Sequence, residues 1–194
     1  MTIELNKNQE EEKKDSFSEE LMETRTIIIS GTVDAKLTDK IVKQLLILEK
    51  KDSKKKLTVF INSPGGEIYS GFAIYDTMKM ISCPVATVVM GLAASMGSIL
   101  ALGADDGKRL AFPNSRIMIH QPLLTGAEGQ TTDLEIHSRQ ILKSREEIAR
   151  LYASVSGKST EEILKDMDRD HWMTAEEAVE YGLVDKIVSK RSQL

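Results

Sequence analysis

Apolar and polar positions along this chain switch between two periods, and the switches mark its elements. Thr26-Ile27-Ile28-Ile29 is a short β-rich run that stops at Ser30-Gly31. Ile41, Val42, Leu45, Leu46 and Leu48 then recur at helical spacing, in a helix that the pattern opens at Thr38. After a charged loop from Lys50 to Lys56, Leu57-Thr58-Val59-Phe60-Ile61 reads as a second buried strand. A turn at Asn62-Ser63-Pro64-Gly65-Gly66 leads into a helix carrying Ala73, Ile74 and Met78. Val85 to Met90 is a third strand, Ser95 to Leu102 a short helix, and Ile117-Met118-Ile119 a further strand. Strands alternating with helices call for crossover connections, so the fold class read here is α/β, with layered βαβ units.

The C-terminal third reads as helical. Thr132 with Glu135, Ser159 with Glu162, and Thr174 with Glu177 each have capping-box spacing, and Gly157 and Gly182 are candidate helix stops. Between about Asp133 and Val155, Leu134, Ile141, Ile148 and Val155 recur every seventh residue, with Leu151 and Tyr152 beside them. So long an apolar stripe needs a surface to pack against. That surface is either the chain's own core or a neighbouring subunit; periodicity does not choose.

Composition narrows the class. A chain of 194 residues with 41% hydrophobic and 29% charged residues suits one globular domain with a single core. A net charge of -4 gives no reason to expect nucleic acid or an anionic membrane as partner. The lone Cys83 excludes an internal disulfide framework and suits a reducing compartment. No stretch approaches the roughly 20 apolar residues of a membrane span, and no signal-peptide core is visible, so the expected location is cytoplasmic, or organellar after loss of a targeting segment. Met1 to Glu20, rich in Glu, Lys, Asp, Asn and Ser, reads as a mobile charged arm ahead of a single domain over residues 21–194.

Four segments carry chemistry. In Gly91-Leu92-Ala93-Ala94-Ser95-Met96-Gly97, a serine stands among small residues at a strand-to-helix turn, a relaxed form of the nucleophile elbow with free N–H groups nearby. The same pattern also fits close packing or an N-cap. Asn62 to Gly66 follows a buried strand, and its two glycines let backbone approach a ligand closely; N–H groups from the two turns could converge on an oxyanion. It lacks the spacing of a phosphate loop, and an ordinary tight turn remains open. His120 ends an apolar strand before Gln121-Pro122, where imidazole could take a serine proton; a structural histidine is the alternative. His137 lies in the long helix and His171 in a charged stretch. Asp166, Asp168 and Asp170 compete to orient the imidazole, and spacing alone does not choose among them.

Taken together and in this order, these segments resemble the proteolytic subunits of the Clp protease family. The likeness runs from about Thr24 to Val188. It includes Ile61 to Gly66, Ile74-Tyr75-Asp76-Thr77-Met78, Gly91 to Gly97, Pro113-Asn114-Ser115-Arg116 through Pro122, and Ala175 to Asp185. It implies a crotonase/Clp-like fold with a protruding handle helix, about 133–155. It also implies a serine endopeptidase with Ser95 as nucleophile, His120 as base and Asp170 as orienter, since the family's aspartate lies five residues before the Ala of Ala-x-Glu-Ala. The backbone N–H groups of Gly66 and Met96 would form the oxyanion hole. Gly65 and Leu123 would touch substrate, with Pro122 to about Gln130 pairing to it as an added strand.

The resemblance further implies two stacked heptameric rings, homo- or hetero-oligomeric, joined by the handle and by ionic contacts of Arg169. Unfolded proteins would be fed in by a hexameric AAA+ unfoldase docked at apolar pockets that include Phe60, Met80 and Leu110. No cofactor or metal is expected; ATP would belong to the unfoldase. Two departures stand out. The family's Pro-rich, Val/Ile-containing start is replaced here by a charged arm, and its Gly-Gly pair after Pro122 is replaced by Leu123-Leu124-Thr125-Gly126, about one residue longer before Gln130. Both suit a divergent paralogue that assembles with a second type of subunit. Two further readings are a ring subunit with little intrinsic activity and a crotonase-type acyl-CoA enzyme. The latter would need no serine, histidine and aspartate at these places. A serine–lysine peptidase lacks a lysine in a comparable motif.

Overall fold

A computed structural model of the chain describes residue 17 and residues 20–123 and 129–194. The expected arm falls outside the described residues apart from Phe17 and Glu20, and so does 124–128, the centre of the expected substrate strand. The elements run β1 (Thr26–Ser30), α1 (Ala35–Lys51), β2 (Leu57–Ser63), α2 (Ile68–Met80), β3 (Val85–Ala94), α3 (Met96–Ala101), β4 (Arg109–Ala111) and β5 (Arg116–Ile119). They continue with α4 (Thr131–Ser156), α5 (Thr160–Asp166), β6 (His171–Thr174), α6 (Ala175–Tyr181) and β7 (Lys186–Ile187).

The α/β reading holds. Strands lie in the order β1-β2-β3-β4-β7, all parallel, with β5 parallel to β3 and β6 antiparallel to β5. Helices cover one face of β1 and β2, burying Ile27, Ile29, Leu57, Val59 and Ile61, while Ile28 and Phe60 on the other face are left partly exposed. Strand β3 carries two neighbours in succession: Thr87 to Val89 pair with β4, and Leu92 to Ala94 pair with β5. Between these stretches the register to β2 slips, Ile61 opposing Val89 but Ser63 opposing Ala93. Gly91 takes φ 100 at that slip, and the Leu92 N–H donates to Asn62 Oδ1 at 3.2 Å. The sheet therefore forks at the end of β3, and Ser95 follows the fork immediately.

Several expectations shift. Helix α1 opens at Ala35, capped by the Asp34 carboxylate accepting from Leu37 N–H at 2.8 Å, while Thr38 donates instead to the Ser70 carbonyl at 2.9 Å. Its buried face is Ile41, Leu45 and Leu48, each worth about 1.5–3 kcal/mol in apolar burial; Leu46 is 42% exposed. Helix α4 starts at Thr131 with no side-chain cap, so Thr132 and Glu135 do not form a box. The boxes at Ser159–Glu162 and Thr174–Glu177 are both present, and Gly157 and Gly182 stop their helices in the left-handed region. The C-terminal third also holds β6 and β7, and the charged stretch around His171 runs into β6, which His171 opens.

Candidate active site

Two turns interlock beside the fork. An added Cβ on Gly65, at φ 93, would stand 2.7 Å from Ser95 Cβ, and one on Gly97 would stand 2.7 Å from the Ser63 carbonyl oxygen. Neither turn could carry side chains there and remain so close. Ser95 is one of two non-glycine residues at positive φ among those described, with φ 53 and ψ -125. Its N–H donates to the Met118 carbonyl at 2.9 Å, and its own carbonyl accepts from Ser98 and Ile99 N–H groups. The nucleophile-elbow shape inferred from sequence is thus present.

His120 follows β5, the strand that pairs with the end of β3, and its Nε2 lies 2.9 Å from Ser95 Oγ. Antiparallel β6 sets Ile119 opposite His171, so Asp170 arrives beside His120, with Oδ1 at 3.1 Å from Nδ1. Gln121 secures that approach: its N–H donates to the Met167 carbonyl at 2.6 Å and its Nε2 to the Asp168 carbonyl at 2.9 Å. The three aspartates are sorted by these contacts. Asp166 accepts from the Tyr181 hydroxyl at 2.7 Å, Asp168 faces Gln121 and Arg169, and Asp170 alone reaches the imidazole. The Asp170 side chain is 60% exposed, against 14% for His120, so the carboxylate faces solvent while the imidazole is largely enclosed. No described element covers that side of it.

The expected oxyanion donors lie on the two interlocked turns. Met96 opens α3, so its N–H has no carbonyl one turn back. Gly66 bridges Val33 in parallel through the Gly65 carbonyl and the Glu67 N–H, which leaves the Gly66 N–H directed away from that bridge. Beside them opens a cleft of ≈ 610 Å³ with an apolar wall that includes Val33, Ile68, Met96, Ile99, Ile148 and Tyr152. Leu123 stands at its edge, 69% exposed. Sequence reasoning did not assign Ile68, Ile148 and Tyr152 to the site. The i, i+4 spacing of Ile148 and Tyr152 was visible, but it signals an apolar face rather than what that face lines.

Tyr152, Tyr181 and Glu177 depart from their ordinary values. Burial pushes the Tyr152 phenol up, with Ser98 opposing in part. Burial, aided by the Asp166 carboxylate that accepts its proton, also raises Tyr181. Hydrogen bonds from Thr174, first from its backbone N–H, hold Glu177 below the ordinary carboxylate range.

The three expected docking residues do not share one surface. Phe60 lines an apolar cleft with Ile28, Met90 and Phe112, its ring 6.2 Å from that of Phe112. Leu110 is only 6% exposed and packs beneath that cleft with Val88 and Val188, because β4 is an interior strand. Met80 is 66% exposed on the last turn of α2 and does not line the cleft. Arg169 is 91% exposed.

A hydroxyl, an imidazole and a carboxylate in hydrogen-bond succession, beside two free N–H groups on an α/β scaffold, are the arrangement of a serine hydrolase. A profile of the Clp protease family matches residues 8–191, beginning within the expected arm and reaching beyond Val188. The chain belongs to the Clp protease family, a family of serine peptidases. It is 49% identical over 181 residues to the ATP-dependent Clp protease proteolytic subunit 1 of Protochlamydia amoebophila, covering 93% of this chain and 88% of the relative. It is 49% identical over 176 residues to the ATP-dependent Clp protease proteolytic subunit of Porphyromonas gingivalis, covering 91% and 78%. The same-named subunit of Ligilactobacillus salivarius is 48% identical over 174 residues, covering 90% and 88%. Among the described residues, no helix is long and apolar enough to cross a membrane.

Proposed function

We propose that this chain cleaves peptide bonds of unfolded proteins by acyl-enzyme chemistry, with Ser95 as nucleophile, His120 as base and Asp170 as the group that orients it. The observation that carries this reading is the unbroken run from Ser95 Oγ to His120 Nε2 at 2.9 Å and from Nδ1 to Asp170 at 3.1 Å. With Nδ1–H donating to the carboxylate, Nε2 is left as the acceptor for the serine proton. As Oγ attacks the substrate carbonyl, the proton passes to Nε2 and the oxygen takes up negative charge between Gly66 and Met96 N–H groups. The imidazolium then protonates the leaving amine and the C–N bond breaks, leaving an ester on Ser95. Water, losing a proton to His120, attacks that ester; collapse returns the proton to Ser95 Oγ and frees the acid. No electron is transferred and every proton passes through imidazole, so the sequence of steps asks for no cofactor.

The apolar cleft wall fits a substrate side chain beside the scissile bond, Gly65 backs the oxyanion turn, and Leu123 begins the strand that would pair with substrate. The names of the relatives support an ATP-dependent partner, with ATP hydrolysed by a hexameric AAA+ unfoldase and not by this chain. Phe60, with Leu110 beneath it, supplies an apolar cleft suited to such docking; Met80 would join only from an adjacent subunit. Two stacked heptameric rings, joined through α4 and Arg169, fit the uncovered length of that helix. The cytoplasm suits the reduced, buried Cys83. The charged start and the altered segment after Pro122 favour a hetero-oligomer with a second subunit type. A pure chain with full peptidase activity and the mass of a closed double ring would overturn that part.

Ser95→Ala is expected to abolish hydrolysis of a fluorogenic peptide while leaving particle mass unchanged, measured with whatever second subunit the assembly needs. Turnover retained in that variant rejects the assignment.

A further inference from the structure

We propose that Tyr152 and Ser98 are positioning residues that aim the Met96 N–H at the oxyanion, acting through a hydrogen-bond relay that ends on the Ser95 carbonyl oxygen. The proposal rests on the reading of Ser95 as nucleophile. Both side chains are closed off from solvent, Tyr152 at 1% and Ser98 at 2% exposure. Ser98 Oγ lies 2.6 Å from the Ser95 carbonyl oxygen and 2.7 Å from the Tyr152 hydroxyl. A carbonyl can only accept, so the single Ser98 proton points to Ser95. The Tyr152 O–H must then donate to Ser98 Oγ, and the relay has one direction. Burial pushes the Tyr152 phenol up, which keeps that proton in place around neutrality.

The consequence follows from the planarity of the peptide bond. The Ser95 carbonyl and the Met96 N–H belong to one peptide unit and point in opposite directions from it. Whatever fixes the oxygen therefore aims the N–H. Any helix start supplies backbone donors, and here Ser98 and Ile99 N–H groups approach the same oxygen at 3.0 and 3.4 Å. The hydroxyl is a further donor, shorter than either, and it is held in turn from helix α4. Ser95 sits at φ 53 and ψ -125, an uncommon conformation for a side-chain-bearing residue that persists only where its surroundings over-determine it. The relay supplies part of that determination, on the side of the peptide opposite the reacting atoms. Neither residue touches substrate through its hydroxyl, so the effect belongs to the transition state and not to binding.

A double-variant cycle on the assembled enzyme tests this, with kcat and KM for a fluorogenic peptide, the rate of fluorophosphonate labelling, and particle mass. Tyr152→Phe keeps the ring that lines the cleft and removes only the hydroxyl. Ser98→Ala removes the donor to Ser95. Each is expected to lower kcat and labelling rate about ten-fold with KM nearly unchanged. The double variant should be no slower than Ser98→Ala alone, because both act on one oxygen. Wild-type kcat in either assembled variant, a loss confined to KM, or additive losses in the double variant would overturn the relay. Should Ser98→Ala fail to assemble, Tyr152→Phe decides alone by the same kcat-against-KM split. If the parent enzyme is not labelled at Ser95, the nucleophile assignment falls and the relay falls with it. Equal labelling of parent and variants removes the relay and leaves the nucleophile standing.

Discussion

Helix α4 keeps one apolar repeat from end to end, yet its two halves meet different surroundings. Between Ser144 and Tyr152 it buries Ser144, Ile148, Ala149 and Tyr152 against the rest of the chain. From Thr131 to Lys143 no residue is buried: the stripe's own Leu134 and Ile141 are half-buried, and Ile136 and Leu142 beside the stripe stand 47% and 55% exposed. The inner half is therefore core and cleft wall at once, and the outer half is a free apolar face of the kind that marks an interaction surface. A seven-residue stripe reports that a helix has an apolar side; it is silent on whether that side is covered from within or by a neighbour.

The comparison can be broken by substitution, and the largest effect belongs to the inner half. Ile148→Ala should cost about 2–5 kcal/mol in denaturant unfolding, since the side chain is 5% exposed and its neighbours close a cavity only in part. A cost below about 1 kcal/mol would mean the inner half is not core in the sense argued. Next comes the helix that packs on it. Ser159 caps α5 and forms a reciprocal box with Glu162, so Ser159→Ala should cost about 1 kcal/mol by the same measurement.

Acid sharpens the same contrast. Backbone and hydroxyl donors of Ser159 hold Glu162 below the ordinary carboxylate range, and those of Thr174 do the same for Glu177. A carboxylate depressed by folding adds stability above its unfolded pKa and gives it up as pH falls through the folded value. The stability gap between the parent and Glu162→Gln should therefore be present near neutrality and close in acid, read by unfolding at several pH values. A gap that widens in acid would reverse the sign. The smallest effect on folding is reserved for the outer half. Ile136→Lys with Leu142→Lys should shift unfolding by no more than about 0.5 kcal/mol, yet lower the particle mass in solution. An unchanged mass would leave that face without a partner.

The parts of this molecule visible in sequence were those written in local chemistry. Two of three capping boxes formed because Ser159 and Thr174 stand free at helix starts, whereas Thr132 lies already one residue inside α4. Thr38 misled for a tertiary reason: its hydroxyl is taken by Ser70 on α2, and Asp34 does the capping. β4, β6 and β7 escaped because two to four residues carry no readable period, and β6 is exposed or half-buried at three of its four positions. The run Gly91 to Ala94 reads in sequence as part of a strand-to-helix turn and is instead the strand's own end, with Leu92 to Ala94 paired to β5. Of the candidate site, Ser95 and His120 stood in recognisable settings. The choice of Asp170 over its neighbours depended on resemblance, because only the pairing of β5 with β6 brings it to the imidazole.

The fork in β3 has a further bearing on how the gene for such a chain can drift. Side chains of a strand alternate between faces, so one residue gained or lost between Met90 and Ser95 would turn the hydroxyl toward the opposite side of the sheet. Insertions there are barred, while the stretch after Pro122 lies beyond the last paired position of β5 and can lengthen without disturbing that register. Length variation among descendants should therefore accumulate on one side of the imidazole and vanish on the approach to the serine.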